Sequence, residues 1–308
     1  MSLAFVFPGQ GSQSVGMLKD LAAEFTEVEA TFKQASDALG YDLWDVVQNG
    51  PAEKLNQTDV TQPAMLSAGV AVWRIWQAKG GAQPVMMAGH SLGEYTALVC
   101  AGALDFSDAV KLVAERGRLM QEAVPAGEGA MAAILGLDDD AVIQVCEDAA
   151  EGEVLSAVNF NSPGQVVIAG QKTAVERALG VAKDKGAKRA LLLPVSVPSH
   201  CALMKPAAQK LEQILADIEL REPAIPVLNN VDVQAQSDAA EIRAALVKQL
   251  HSPVRWVETI RKMAADGVDS LIECGPGKVL AGLNKRIERG MTAQAVYDSD
   301  SLNSALEK

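Results

Sequence analysis

The sequence predicts an α/β protein, with a mostly parallel sheet covered by helices on both faces and interrupted once by a smaller unit of different topology. Three observations predict it. Short apolar runs closed by Gly, Asn or Pro recur at residues 3–7, 85–89, 225–228 and 268–274, the pattern of strands buried on both faces. Long stretches of helical apolar period lie between them, as the crossovers of parallel strands require. Between residues 129 and 195 the periods change to strand, helix, strand, strand, helix, strand.

Taken in order, the first run, Leu3-Ala4-Phe5-Val6-Phe7, has no basic segment before it and no cleavage-site pattern after it, so it reads as a strand and not as a leader. The run at 84–88 leads through Gly89-His90-Ser91-Leu92-Gly93 into a helical segment at 94–101. A longer amphipathic helix is expected at 106–122. Within the interrupting unit, strands are expected at 130–137, 154–160, 165–169 and 190–195. Helices are expected at 139–150, opened by acidic residues, and at 173–185, ended by Gly186; Asn161-Ser162-Pro163-Gly164 makes the turn. The order βαββαβ is that of a ferredoxin-like unit. Residues 1–125 and 198–308 are thus expected to form the large unit, and 126–197 the inserted subdomain.

A chain of 308 residues exceeds one typical core of roughly 100–200 residues, which suits a large unit carrying a smaller one. No apolar run approaches the ~18 residues of a membrane span, and a cytoplasmic protein without membrane association is expected. A net charge of −12 repels phosphate polyanions, so nucleic acid is not an expected partner. Cys100, Cys146, Cys201 and Cys274 lack the spacing of a zinc site or a disulfide framework, and no metal is expected.

The sharpest chemical signal is the G-x-S-x-G at 89–93. Between a strand and a helix it matches a nucleophile elbow, where flanking glycines relieve crowding and Ser91 stands exposed at a helix N-terminus. A serine nucleophile needs a base, and three histidines are available: His90, His200 and His251. His90 adjoins Ser91, but neighbouring side chains in a sharp turn diverge, so it is expected to pack or hydrogen-bond. His200, in Pro198-Ser199-His200-Cys201, falls where the insert returns to the large unit, a natural cleft; it is the preferred base, with His251 the competitor. The loop Phe7-Pro8-Gly9-Gln10-Gly11-Ser12-Gln13 reads equally as a second source of oxyanion donors or as a flexible turn. On the helix 106–122, Arg116 falls three residues after Val113, four after Leu112 and four before Met120, on the apolar stripe. A buried guanidinium there requires either a structural carboxylate or an anionic substrate.

Pro-Gly-Gln-Gly-Ser-Gln at 8–13, Gly-His-Ser-Leu-Gly-Glu at 89–94, Glu-Arg-Gly at 115–117, Pro-Ser-His at 198–200 and Gln-Leu-His-Ser-Pro-Val-Arg-Trp at 249–256 together resemble the malonyl-CoA:acyl carrier protein transacylases of fatty acid synthesis. The resemblance runs over essentially the whole chain. It implies an α/β-hydrolase-like domain with a ferredoxin-like insert, and an acyltransferase that carries malonyl from malonyl-CoA to acyl carrier protein with no metal or redox cofactor. It assigns the nucleophile to Ser91, the base to His200 and the oxyanion donors to the backbone of Gln10 and Leu92. Arg116 receives the malonyl carboxylate, the main-chain carbonyl of Gln249 orients the histidine, and Gln62 lines the site. Ser199 departs from the malonyl pattern of polyketide synthase domains, where Ser before His accompanies a methyl-bearing unit, whereas Leu92 fits the malonyl type. A thioesterase, which shares G-x-S-x-G, and a non-catalytic carrier-binding module are the alternatives. The partner carrier is acidic, as this chain is, so a local basic patch of Lys188, Arg189, Lys285 and Arg286 is expected to receive it.

Overall fold

A computed structural model describes residues 2–195 and 197–307; Met1, Ser196 and Lys308, which fall at the ends of the expected large unit and inside the expected insert, lie outside the described residues. Nine strands are found among the described residues: β1 Leu3–Phe7, β2 Met86–Gly89, β3 Gly129–Leu135, β4 Leu155–Ser162, β5 Gln165–Gln171, β6 Arg189–Leu192, β7 Val227–Leu228, β8 Ser270–Cys274 and β9 Thr292–Val296. They form a five-stranded sheet in the order β7-β2-β1-β8-β9 and a four-stranded sheet in the order β4-β5-β3-β6.

All pairings in the five-stranded sheet are parallel. Central β1 shows why its sequence reads as an unbroken apolar run: Leu3, Phe5 and Phe7 enter the core on one face, and Ala4 and Val6 the core on the other. On the first face Phe5 meets Trp73 and Trp76 of the helix Thr58–Ala78 edge-on, with ring centroids 5.2 and 5.3 Å apart. The second face is covered by the helices Trp256–Ala265 and Val279–Ile287. β9 was not legible as a strand, because its run, Thr-Ala-Gln-Ala-Val, alternates weakly on the sheet edge.

The four-stranded sheet is antiparallel and arises from the expected order βαββαβ. Its helices, Asp139–Ala150 and Lys172–Asp184, bury Val142, Val145, Val175 and Ala178 against Ile134, Val166 and Ile168 on one face. Met131, Val158, Val167 and Ala169 on the other face pack against Cys201, beside His200. A short strand-like contact ties the sheet to the core, since Phe160 donates its N–H to the Val254 carbonyl (3.0 Å) and Val254 donates to Val158 (2.8 Å). The inner face of the smaller sheet thereby becomes the roof of a cleft above the carboxyl ends of β1 and β2. In open parallel sheets that is where ligands bind. Among the described residues no helix is long and apolar enough to cross a membrane.

Candidate active site

Ser91 stands between β2 and the helix Gly93–Cys100 with φ at 51°, a left-handed conformation that a non-glycine residue adopts only when its surroundings enforce it. Close packing enforces it. A Cβ at Gly93 would lie 2.1 Å from the Phe7 carbonyl oxygen, and one at Gly89 would lie 1.8 Å from Gly93 itself, so the turn closes only with glycine at both positions. Asn230, just beyond β7, braces it from behind: its Oδ1 accepts from the Ser91 N–H (2.7 Å) and its Nδ2 donates to the Gly89 carbonyl (2.6 Å).

His200 arrives from 109 residues away, and the Ser91 hydroxyl donates to its Nε2 at 2.8 Å. The helix Ala239–Gln249 fixes the ring. Last-turn carbonyls of a helix have no partner within it; here Gln249 accepts from His200 Nδ1 (2.8 Å) and Leu250 accepts from the His200 N–H (3.0 Å). A carbonyl can only accept, so the proton sits on Nδ1 and Nε2 is free to take the serine proton. Burial, and then the positive charge of Arg116, push the His200 pKa down to about 3, so the ring is neutral at physiological pH. The negative end of the helix dipole beside it favours positive charge on this ring.

Arg116 is buried, as its place on the apolar stripe predicts, on a helix capped by the Asp105 side chain. Its Nη1 donates to Gln62 Oε1 (2.8 Å), and its Nη2 donates to Gln249 Oε1 (2.9 Å) and to Ser91 Oγ (3.3 Å). The guanidinium lies over the Tyr95 ring at 5.3 Å, and its Nε has no hydrogen-bond partner among the described residues. All of its direct hydrogen-bond partners are neutral. Of the alternatives left open by the sequence, a structural carboxylate is present only at one remove: the buried Glu94 carboxyl lies behind Gln249 and attracts the guanidinium without touching it.

Gln10 and Leu92 line the same cleft as Ser91, His200, Arg116 and Gln62, a cavity of about 360 Å³. The loop carrying Gln10 is held: Gln13 Oε1 accepts from the Gly11 N–H (2.7 Å), and Gln13 Nε2 donates to Asn56 (2.9 Å). A Cβ at Gly9 would lie 2.6 Å from the His90 carbonyl oxygen, so glycine lets this loop lie directly against the elbow. His90 turns away from the serine, as expected, to bond Asn161 of β4 through Nε2 (2.8 Å) and to pack on Trp256. His251 is not among the cleft residues.

Sequence reasoning missed a second row of polar groups behind Ser91. Glu94 is fully buried; its Oε2 accepts from Gln249 Nε2 (2.9 Å) and from the Asn230 N–H (2.8 Å), while Gln249 Nε2 also donates to the Ser91 carbonyl (3.0 Å). Burial raises the Glu94 pKa to about 7 against the opposing pull of Gln249, Asn230 and Arg116. The Asn229-Asn230 pair after an apolar strand was the available signal, because polar residues at the carboxyl end of a parallel strand face the ligand crevice. Glu94 closes the motif at 89–94, but its burial depends on distant segments and could not be read from it.

Residues 4–298 match the family model described as an acyl transferase domain. The chain belongs to the acyl transferase family. It is 65% identical over 305 residues to the malonyl CoA-acyl carrier protein transacylase of Haemophilus influenzae, covering 99% of this chain and 98% of that one. A crystal structure of an acyl carrier protein S-malonyltransferase from Vibrio cholerae superposes with a TM-score of 0.97 at 62% identity, covering 99% of both chains. A malonyl-transacylase in complex with its type II PKS acyl-carrier protein gives a TM-score of 0.99 at 60% identity, covering 100% of this chain and 99% of that one. The family assignment agrees with the resemblance seen in the sequence motifs, and these structures share the α/β fold.

Proposed function

We propose that this acyltransferase moves a malonyl group from malonyl-CoA to the pantetheine thiol of acyl carrier protein, in the service of fatty acid synthesis, through an ester on Ser91. The observation that carries this reading is the Arg116 guanidinium, fully buried, 3.3 Å from the Ser91 oxygen and bonded only to neutral groups. The Glu94 carboxyl acts on it only from behind Gln249, and an acyl group ending in a carboxylate supplies a directly bonded anion through two parallel hydrogen bonds.

In the first half-reaction the Ser91 oxygen attacks the thioester carbonyl while its proton passes to His200 Nε2. The backbone N–H groups of Gln10 and Leu92 receive the oxyanion, the C–S bond breaks, and coenzyme A leaves as the thiol with the proton from His200. In the second, the carrier thiol gives its proton to His200 and attacks the ester, and Ser91 is regenerated. Both steps are acyl transfers with no change of oxidation state, so neither requires a redox cofactor, and His200 with the two backbone N–H groups supplies the proton transfer and charge stabilisation without calling on a metal. A thioesterase would have a carboxylate on the histidine Nδ1; the Gln249 carbonyl in that place favours transfer.

Carrier docking fits the basic residues singled out in the sequence. Lys188 packs on Gly136, Gly136 donates to the Gly164 carbonyl (2.8 Å), and Arg286 donates to Gln165 (2.9 Å), so the pairs Lys188–Arg189 and Lys285–Arg286 gather at one end of the smaller sheet. None of the four forms a salt bridge among the described residues. The same reading includes residues 126–197 as a subdomain inserted between 1–125 and 198–308, and a cytoplasmic location. The decisive experiment incubates the protein with malonyl-CoA alone and measures the mass of the peptide containing Ser91. A stable malonyl adduct that acyl carrier protein then discharges is the expected result; release of free malonate without an adduct would favour a hydrolase.

A further inference from the structure

Four groups behind the nucleophile form a closed ring. The Ser91 N–H donates to Asn230, the Asn230 N–H donates to Glu94, and Gln249 Nε2 donates both to Glu94 and to the Ser91 carbonyl. Of the three members behind Ser91, Gln249 is the one that bonds Arg116, whose Nη2 donates to its Oε1. A carboxamide has two faces of nearly equal shape and opposite polarity. Turned over, Gln249 would direct its NH₂ group at the Arg116 NH₂ group and its oxygen at two other oxygens. The ring selects the orientation in which the amide oxygen holds Arg116 beside Ser91.

Glu94 takes part in that choice. Its Oε2 accepts from Gln249 Nε2 (2.9 Å) and from the Asn230 N–H (2.8 Å), so a turned amide would set its own oxygen against that carboxyl oxygen as well as against the Ser91 carbonyl. Glu94 has no place in the transfer chemistry, because Ser91, its main-chain carbonyl and Gln249 stand between it and the cleft, and it is absent from the cleft lining. We infer that Glu94 is a positioning residue for acyl-group selection: through the Gln249 side chain it keeps the Arg116 fork aimed at the serine, and so sets the preference for a carboxylate-bearing acyl group. This rests on the malonyl reading of the site.

The test compares Glu94→Gln and Glu94→Leu with the wild type in the first half-reaction, using malonyl-CoA, acetyl-CoA and a fluorophosphonate that reports Ser91 reactivity alone. Glutamine presents an oxygen in the same place and should keep the malonyl-to-acetyl ratio of kcat/KM within about threefold of wild type. Leucine frees the amide to turn and should lower kcat/KM for malonyl by about tenfold or more, mostly through KM, with acetyl transfer and fluorophosphonate labelling changed by less than about threefold. Equal losses for all three reagents would make Glu94 a structural brace of the elbow and overturn the proposal, as would a glutamine variant as impaired as the leucine one. Glu94→Ala, which removes the carboxyl without adding apolar bulk, gives a second route should Glu94→Leu fail to fold. It should show the same selective loss, and an equal loss for both acyl groups there also overturns the proposal. A wild-type protein that never acquires malonyl on Ser91 would instead refute the reading of the site, whatever the Glu94 variants do.

Discussion

The two sheets of this protein both pack against helices and are used differently. In the five-stranded parallel sheet every strand runs the same way, so the carboxyl ends of β1 and β2 deliver the Gln10 loop and the Ser91 elbow to one edge, where helix termini supply oriented N–H and C=O groups. The antiparallel sheet alternates direction and gathers no such edge; it gives the cleft apolar and amide side chains such as Met131 and Asn159. Reacting groups thus come from places where backbone polarity accumulates, and shelter comes from where it cancels.

That contrast can be broken most sharply at the elbow. Ser91→Ala should leave no malonyl adduct by mass spectrometry. His200→Ala should slow acylation by about 10² or more, the usual contribution of a positioned base. If His251→Ala had that effect instead, the base would be misassigned.

Next in size is Arg116→Ala. Stranding one member of a buried ion pair costs about 3–5 kcal/mol, or roughly a hundredfold or more in kcat/KM for malonyl-CoA. Acetyl transfer has no carboxylate to strand and should change little. Arg116→Lys should recover only part of the malonyl activity, because a point charge lacks the planar fork. A proportional loss for both acyl groups in a folded variant would assign Arg116 to structure.

A smaller effect is expected at the far end of the insert. Reversing the charge of Lys188, Arg189, Lys285 and Arg286 should slow discharge to acyl carrier protein by about tenfold at low salt, with less effect as ionic strength rises. Acylation by malonyl-CoA should be unchanged, and equal slowing of both half-reactions would place docking elsewhere. In the interior of the insert, Ile168→Ala should cost about 2–5 kcal/mol of stability by denaturant unfolding, while leaving the malonyl-to-acetyl ratio as it was.

The most delicate test is pH. His200, moved from 6.5 to about 3, contributes stability that is complete above 6.5 and lost as pH falls towards 3. Glu94, moved from 4.5 to about 7, contributes stability that is complete below 4.5 and lost as pH rises through 7. Relative to wild type, the Tm of His200→Ala should therefore rise as pH is lowered from 6.5 to 4, and that of Glu94→Gln should rise between pH 5 and 8. The reverse trend in either variant would mean that its group titrates the other way.

The sequence by itself determined the alternation of elements, the parallel core, the βαββαβ order of the insert, the elbow at Ser91 and the inward face of Arg116. Each follows from period, glycine placement or burial within a single segment, where neighbours in sequence are neighbours in space. It also offered His200 as the preferred base. The resemblance also offered the Gln249 carbonyl as the group that orients His200; only the tertiary structure decided that this carbonyl ends a helix, that the direct partners of Arg116 are neutral, and that Glu94 and Asn230 form a ring with Gln249 behind the serine. Those facts join segments from 49 residues apart, for His200 and Gln249, to 155 apart, for Glu94 and Gln249, and an amide or a carboxylate carries no mark in sequence of which distant group will face it. Burial and partner choice are properties of the assembled cleft, so the network supporting the nucleophile became readable only once β2, β7 and the helix Ala239–Gln249 lay side by side.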